Sequence, residues 1–382
     1  MAAGNPFVYG EVVPKSAFVG RTAELDRLVA DLADGQKNFL ISPRRYGKSS
    51  LIQQAFAGLG RKRIATLDIT VSSFSSYVAF LEGYVRALAN LDANAGEARS
   101  WLRGLFTTFT PEWRADPIDN RTRAVSFPSV RTPRDASRLA AEVFALPGRI
   151  AARLGRRLVI AMDEFQAVAG YDAGNVEHTL RAAVQQQRQV GYVFAGSEPS
   201  LMEQMIGARR PFYKAGPVLR LGKIPAEVFA GFVDTRFRKS GLSPEPGLGA
   251  AIVDVAGNLP YDVQRLAHET WDDVNSERRR SVTLDDVHAT LHRMLAEQDV
   301  FFEAVWQRLT LAQRGVLRAV VLEHGEEILG ADVRTRYRLG GASSVQTALA
   351  ALQRLDLIAR DDAGSYAAVD SLMREWVVRR TH

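Results

Sequence analysis

Apolar positions along the N-terminal half of the chain come in two alternating kinds of run. Asn38-Phe-Leu-Ile-Ser42, Arg157-Leu-Val-Ile-Ala-Met-Asp163 and Gly191-Tyr-Val-Phe-Ala-Gly196 are short and have no polar face. Such runs suit strands covered on both sides, as in a parallel sheet. Arg63 to Thr70 adds a strand carrying Ile64, Leu67 and Ile69. Between these, apolar residues recur at three and four: Leu51, Ile52 and Ala55 within Ser49–Ala57, then Phe74, Tyr77, Val78, Leu81, Val85 and Leu88 within 74–92. Further helices are expected over Arg134–Leu154 and Val176–Gln189. The alternation continues to about Gly222 and predicts an α/β sandwich built on a parallel sheet. Residues 101–133, rich in Pro, Arg and aromatics and poor in periodicity, read as an excursion from the core, a hairpin.

From Ala226 to about Ala296 the pattern is helical only, which predicts a separate helical subdomain. Thr310–Glu323 is amphipathic through Leu311, Val316, Leu317, Val320 and Val321. A turn at Gly340–Ser344 with an N-cap signal leads into a helix over Val345–Leu355. Leu357-Ile-Ala-Arg360 and Tyr366-Ala-Ala-Val369 then flank a polar turn at Asp361–Gly364. Helices followed by a two-stranded ribbon predict a winged helix. The expected division is 1–222, 223–295 and 296–382.

Composition narrows the function classes. At 382 residues the chain exceeds one ordinary core, and 46% hydrophobic with 24% charged residues describes a globular protein. No apolar run reaches the about 18 residues that span a bilayer, and Met1–Pro6 lack the layout of a secretory signal. A cytoplasmic protein without a membrane partner is expected. The absence of cysteine excludes disulfides, thiolate metal sites and cysteine nucleophiles. The net charge of +6 invites a nucleic-acid partner, but residues 296–382 hold 11 Arg and no Lys against 12 acids, net −1. The charge lies in the first 295 residues, with 38 basic and 31 acidic.

Only seven of the 49 basic residues are Lys, and one of them closes Ser42-Pro-Arg-Arg-Tyr-Gly-Lys-Ser49. This fits the phosphate loop G-x-x-x-x-G-K-[ST] except for Ser42 in place of the first Gly. A strand turning sharply into a helix aims backbone N–H groups and the positive helix end at a phosphate. The backbone from Arg44 through Arg45, Tyr46 and Gly47 to Ser50 is expected to wrap it. Lys48 is expected to reach the β- and γ-oxygens and the Ser49 hydroxyl to coordinate Mg²⁺. Lys48 is expected in a solvated loop, dispensable for the apo fold. Asp163, closing a buried strand about 115 residues on, is the expected second Mg²⁺ ligand, and Glu164 the base that orients or deprotonates water. The cofactors expected are ATP or ADP with Mg²⁺.

These stretches, with Asn5-Pro-Phe-Val-Tyr-Gly10, Phe18-Val-Gly-Arg21, Asp163-Glu-Phe-Gln166, Phe194-Ala-Gly-Ser197, Arg210-Pro-Phe-Tyr213 and Gly257-Asn-Leu-Pro260, make the sequence resemble a known family. It is similar to the archaeal-type ATPases of the STAND branch of AAA+ proteins, in their bacterial form, over nearly its whole length. The resemblance implies a P-loop core, a helical lid and a C-terminal winged helix. It implies that the backbone at Phe18 and Val19 holds adenine, that Pro260 meets the base from the other side, and that Ser197 senses the γ-phosphate. Phe18 and Val19 also suit simple core positions, and Gly257–Pro260 a connecting turn. Pro260 stands where most AAA+ proteins carry Arg, which implies slow hydrolysis. Arg209 and Arg210 are candidates for an arginine finger acting in trans, but two adjacent arginines are more often a solvated surface pair.

The function expected is a regulatory ATPase whose lid and winged helix rearrange with nucleotide, joined to self-association or a protein partner. The alternative is a DNA-binding ATPase using the winged helix.

Overall fold

The computed structural model describes residues 4–91, 101–115, 123–171, 175–360 and 364–380. By contacts the chain forms two compact units. One comprises Thr22–Pro43 and Lys48–Leu221; the other comprises residues up to Arg21, Arg44–Gly47 and Gly222–His382.

The first unit is built on five parallel strands, β1 (Lys37–Ile41), β2 (Ala65–Thr70), β5 (Leu158–Asp163), β6 (Val190–Gly196) and β7 (Val218–Arg220), in the order β2-β5-β6-β1-β7. The fully apolar runs are the central strands: every residue of β6 is buried, and β5 is buried from Leu158 to Met162. Registers pair Ile41 with Gly196 and Met162 with Phe194. Chain leaving β1, β5 and β6 therefore emerges at one edge of the sheet, the carboxyl edge at which open α/β sheets place ligand sites. Helices α1 (Thr22–Ala33), α2 (Lys48–Arg61), α3 (Tyr77–Ala89), α4 (Pro133–Leu154), α5 (Val176–Gln186) and α6 (Pro199–Ile206) belong to this unit. The expected helix over 74–92 begins three residues later because Ser76 caps it, accepting from the Ala79 N–H. The excursion does contain a hairpin, β3 (Glu112–Ala115) against β4 (Arg123–Ser126).

Phe39, Phe165, Phe194 and Phe212 pack as one aromatic nucleus, with ring centroids 4.5 Å apart for Phe165–Phe194 and 5.2 Å for Phe194–Phe212. Phe212 thus anchors the Arg210-Pro-Phe-Tyr213 stretch beneath β1 and β6, whereas Tyr213 stays exposed.

The second unit is mainly helical: α7 (Ala226–Lys239), α8 (Leu248–Val255), α9 (Pro260–Ser276), α10 (Leu284–Arg308), α11 (Leu311–Leu322), α12 (Ala331–Arg336), α13 (Ala342–Arg354) and α14 (Ser371–Arg380). Its two-stranded ribbon pairs β10 (Ile358–Arg360) with β11 (Tyr366–Ala368). The stretch expected to be helical throughout also carries two-residue strands, β8 (Ser243–Pro244) and β9 (Ser281–Val282), paired in parallel. Helix α10 starts on a capping box made by Thr283 and Asp286 and runs without interruption across residue 296. The N-terminal segment docks here as well, Phe7 lying 4.8 Å from the Phe237 ring and Tyr9 Oη donating to Glu269 at 2.8 Å.

Candidate functional site

Within the sheet unit, the residues expected to handle phosphate and metal come together. Lys48 opens α2, and its Nζ donates to Asp163 Oδ1 and, at 3.4 Å, to Glu164 Oε1. Ser49 Oγ donates to Asp163 Oδ2 at 3.4 Å. Lys48 is not in a solvated loop as the sequence suggested: its side chain is only 8% exposed, because two carboxylates at the end of β5 draw it in.

Glu164 takes up a left-handed backbone conformation, φ +52°, uncommon for a residue with a side chain. Its Oε2 accepts from Ser197 Oγ and from Gln166 Nε2, each at 2.6 Å. Burial opposes its charge, but Lys48 and these two hydrogen bonds prevail and hold the carboxyl below the usual range. Ser197 is therefore bonded to the expected base at the end of β6. Asp68, on β2, was not singled out from the sequence. Burial first, and Asp163 next, push its carboxyl up, while Gln53 donates to it at 3.0 Å.

Ser42 explains the departure from the motif. Its N–H continues the sheet by donating to the Gly196 carbonyl at 3.3 Å, and its φ is not positive. The left-handed positions of the loop are Arg45 at +68° and Gly47 at +87°. Glycine is therefore required at 47 and not at 42.

Arg44 to Gly47 pack with the second unit. Arg44 Nη1 meets Asp356 Oδ2 at 2.7 Å, just past α13. Arg45 Nη1 lies 2.9 Å from Asp370 Oδ2 and 3.6 Å from Asp262 Oδ1, and the guanidinium sits 5.3 Å from the centroid of the Tyr261 ring. Asp262, in the first turn of α9, also accepts from the Ser371 N–H at 3.1 Å. The Tyr46 carbonyl accepts from Arg21 at 3.3 Å.

Phe18 and Val19 are half-buried in this unit, Val19 against its core. A Cβ at the following Gly20 would lie 2.5 Å from Ile224 Cγ2, and Asn258 Nδ2 donates to the Ile224 carbonyl at 2.7 Å. Gly20 and Asn258, neighbours of the residues expected to clamp adenine, therefore both meet Ile224, and half-buried Pro260 opens α9. Arg210 pairs with Glu177, and Arg209 is exposed.

The donors fit Mg²⁺. Ser49 and Asp163 offer hard oxygens, and among the described residues no three His, Cys, Asp or Glu side chains group as a metal cage. Mg²⁺ typically takes one or two protein ligands and completes its shell with phosphates and water.

Comparison with known proteins bears on the fold. A family model described as "Probable winged helix domain" matches residues 300–379. No curated protein matches the sequence. Among solved structures, the Walker-type ATPase PABY2304 of Pyrococcus abyssi is similar at a TM-score of 0.64 and 15% identity, over 96% of this chain and 99% of that one. The ORC2 protein of Aeropyrum pernix, as ADPNP–ADP complexes, gives 0.57 and 11% over 99% and 98%. The ORC1 protein of Aeropyrum pernix in complex with DNA gives 0.51 and 14% over 97% of each. The fold is that of AAA+ P-loop ATPases with a C-terminal winged helix. Among the described residues no helix is long and apolar enough to cross a membrane.

Proposed function

We propose that this chain is a cytoplasmic, STAND-type regulatory ATPase. In this reading it binds ATP with Mg²⁺, hydrolyses it slowly, and couples the nucleotide state to a lid (223–295) and a winged helix (296–382). The observation that carries it is the set of ion pairs made by the arginines of the phosphate loop. Arg44 and Arg45, which precede Lys48 in that loop, are held by carboxylates of the stretch assigned to the lid and winged helix. Arg45 is bound there to Asp262 of α9 and to Asp370 beside α14, and Arg44 to Asp356. Phosphates arriving at this loop compete with those three carboxylates for its cations, so the C-terminal unit has different contacts with and without nucleotide. A ligand shifts a conformational equilibrium only through such differential contacts.

In the chemical step, Lys48 leaves the carboxylates for the β- and γ-oxygens, and the backbone from Arg44 to Ser50 lines the phosphates. Ser49 and Asp163 would hold Mg²⁺, which when bound neutralises charge developing on the phosphates. Glu164 takes the proton of the attacking water, Ser197 sits beside it, and Phe18, Val19 and Pro260 hold the base. Turnover is slow because Pro260 supplies no cation to the γ-phosphate.

The test is limited proteolysis with light scattering on the full chain. ATP should change the cleavage pattern within 223–382 or the mass, through self-association, and Arg45→Ala should lose that response while still binding ATP. An identical response in Arg45→Ala would refute the coupling. The second reading, a DNA-binding ATPase, draws on the likeness to the DNA-bound ORC1 protein. It is disfavoured by the net charge of −1 over 296–382.

A further inference from the structure

Gln166 is buried, 7% exposed, in the turn that follows β5. Its amide nitrogen lies between two carboxylates, 2.6 Å from Glu164 Oε2 and 3.4 Å from Glu198 Oε1. This fixes the orientation of the amide, since turning it over would aim its oxygen at both acids. The cost falls on the other end. Gln166 Oε1 is buried and, among the described residues, has no hydrogen-bond partner. It lies toward Gly196, where an added Cβ would come within 2.7 Å of it and 2.3 Å of Met202.

A buried carbonyl oxygen without a donor is destabilising, and a methionine would fill the same space without that penalty. Packing alone therefore does not account for an amide at this position. What the amide does is occupy one carboxylate oxygen. Oε2 of Glu164 accepts from both Ser197 and Gln166, whereas among the described residues Oε1 has Lys48 alone, at 3.4 Å. Lys48 is the group that nucleotide phosphates draw away. Once it leaves, Oε1 is the oxygen with free lone pairs, and its direction is set by the two bonds on Oε2.

We infer that Gln166 is the positioning residue for Glu164, tethering Oε2 so that Oε1 alone is presented to the attacking water, with Glu198 holding the second amide N–H of Gln166. The inference rests on the ATPase reading above, with Glu164 as base. A base acts only within hydrogen-bond reach of the proton it takes, so losing its orientation lowers the rate without altering nucleotide affinity.

The experiment measures kcat, KM and the Kd of a fluorescent ATP analogue with Mg²⁺ on the full chain, for wild type, Gln166→Met, Glu198→Ala, Glu164→Gln and Gln166→Met in the Glu164→Gln background. Gln166→Met should lower kcat about 10- to 100-fold, a fraction of what a general base supplies, with KM and Kd within about threefold. In the Glu164→Gln background the same change should cost nothing more, because a residue acting only through Glu164 is not additive with it. Glu198 is exposed, so Glu198→Ala keeps the test alive if Gln166→Met fails to fold. It should lower kcat about two- to fivefold at unchanged KM, through the looser amide. Wild-type rates in either variant, a matching rise in KM or Kd, or an undiminished loss in the Glu164→Gln background would overturn the inference. A wild-type chain that does not turn over ATP overturns the ATPase reading as well, which separates the two failures.

Discussion

Lys48→Ala tests the phosphate loop and the structure around it together. The side chain is 8% exposed, and its partners are more open, Asp163 at 16% and Glu164 at 25%. Breaking a fully buried ion pair from one side costs about 3–5 kcal/mol, and an exposed one about 0–1. Here Asp163 keeps the Glu164 N–H at 2.9 Å and Glu164 keeps Ser197 and Gln166, so neither carboxylate is stranded. The adjacent charges nevertheless lose the cation between them, which places the loss at roughly 2 kcal/mol, between those limits. The apo variant should therefore melt several degrees lower than wild type. A solvated lysine would leave the melting temperature unchanged. ATP at a hundredfold excess over Kd stabilises a binding protein by about 2.7 kcal/mol, and this increment should vanish in Lys48→Ala. Asp163→Asn added to Lys48→Ala should restore part of the apo stability, since one of the two unbalanced charges is then gone. The assay is thermal unfolding of the three proteins with and without ATP and Mg²⁺. An unaltered ATP increment in Lys48→Ala would refute the phosphate-loop assignment, and an unaltered apo stability would refute the carboxylate pairing.

Glu164→Gln should keep the ATP-induced stabilisation and lose turnover, because the amide keeps the shape but takes no proton; hydrolysis at the wild-type rate would place the base elsewhere. Asp262 should give the C-terminal unit a pH signature, since its carboxyl is pushed up from 3.8 to about 6, by burial first, against Arg45 and with Asp370 adding to it. A raised acid keeps a proton in the folded chain that the unfolded chain gives up, so stability falls as pH rises from about 4 to about 6, by about 3 kcal/mol at most. Urea unfolding of wild type minus Asp262→Asn across that window should show the slope, and parallel curves would refute it.

The sheet was legible because a strand buried on both faces has to be apolar at every position, as β5 and β6 are. Three-residue β7 was not, since Val218–Arg220 is too short to show a period, and it joins the sheet only by pairing with β1. Helix α14 was missed because Ser371–Arg380 distributes its apolar residues around the axis with little bias to one face. At the proposed site, the juxtaposition of Lys48, Ser49, Asp163 and Glu164 was readable, because phosphate and metal chemistry restricts residue types and the chain order places them after particular strands. The ion-pair partners of the loop arginines were not. Arg45 meets acids at 262 and 370, and Arg44 one at 356; no local pattern encodes a contact over such separations. Gln166 stood in the Asp163-Glu-Phe-Gln166 stretch as a letter without a role. Only folding brings Glu198 and Gly196 against it.

The winged helix decides between the two functional readings, and the structure dictates how to test it. One hydrophobic core runs from Phe7 through α7–α10 to Val377, and α10 crosses residue 296, so removing 296–382 would cut a helix and open that core. Charge reversal on the surface is the cleaner perturbation. Helix α13, third of the helices before the ribbon, exposes Ser343, Ser344, Gln346, Thr347 and Ala350, and Arg354 is its only cation. Exposed Asp356 follows it and is paired with Arg44. Each phosphate contacted adds about 0.9 to the slope of log affinity against log salt, so α13 contributes at most one such increment. We expect full-length protein to bind random duplex DNA weakly, through the net +7 of its first 295 residues. Gln346→Glu with Arg354→Glu should leave both the affinity and the salt slope within one increment of wild type. The measurement is fluorescence anisotropy at several salt concentrations, on random duplexes and on a pool enriched for bound sequences. A sequence-selective complex that the double variant abolishes would reverse the preference, making α13 a reader of DNA and the ATPase a motor or clamp acting on it.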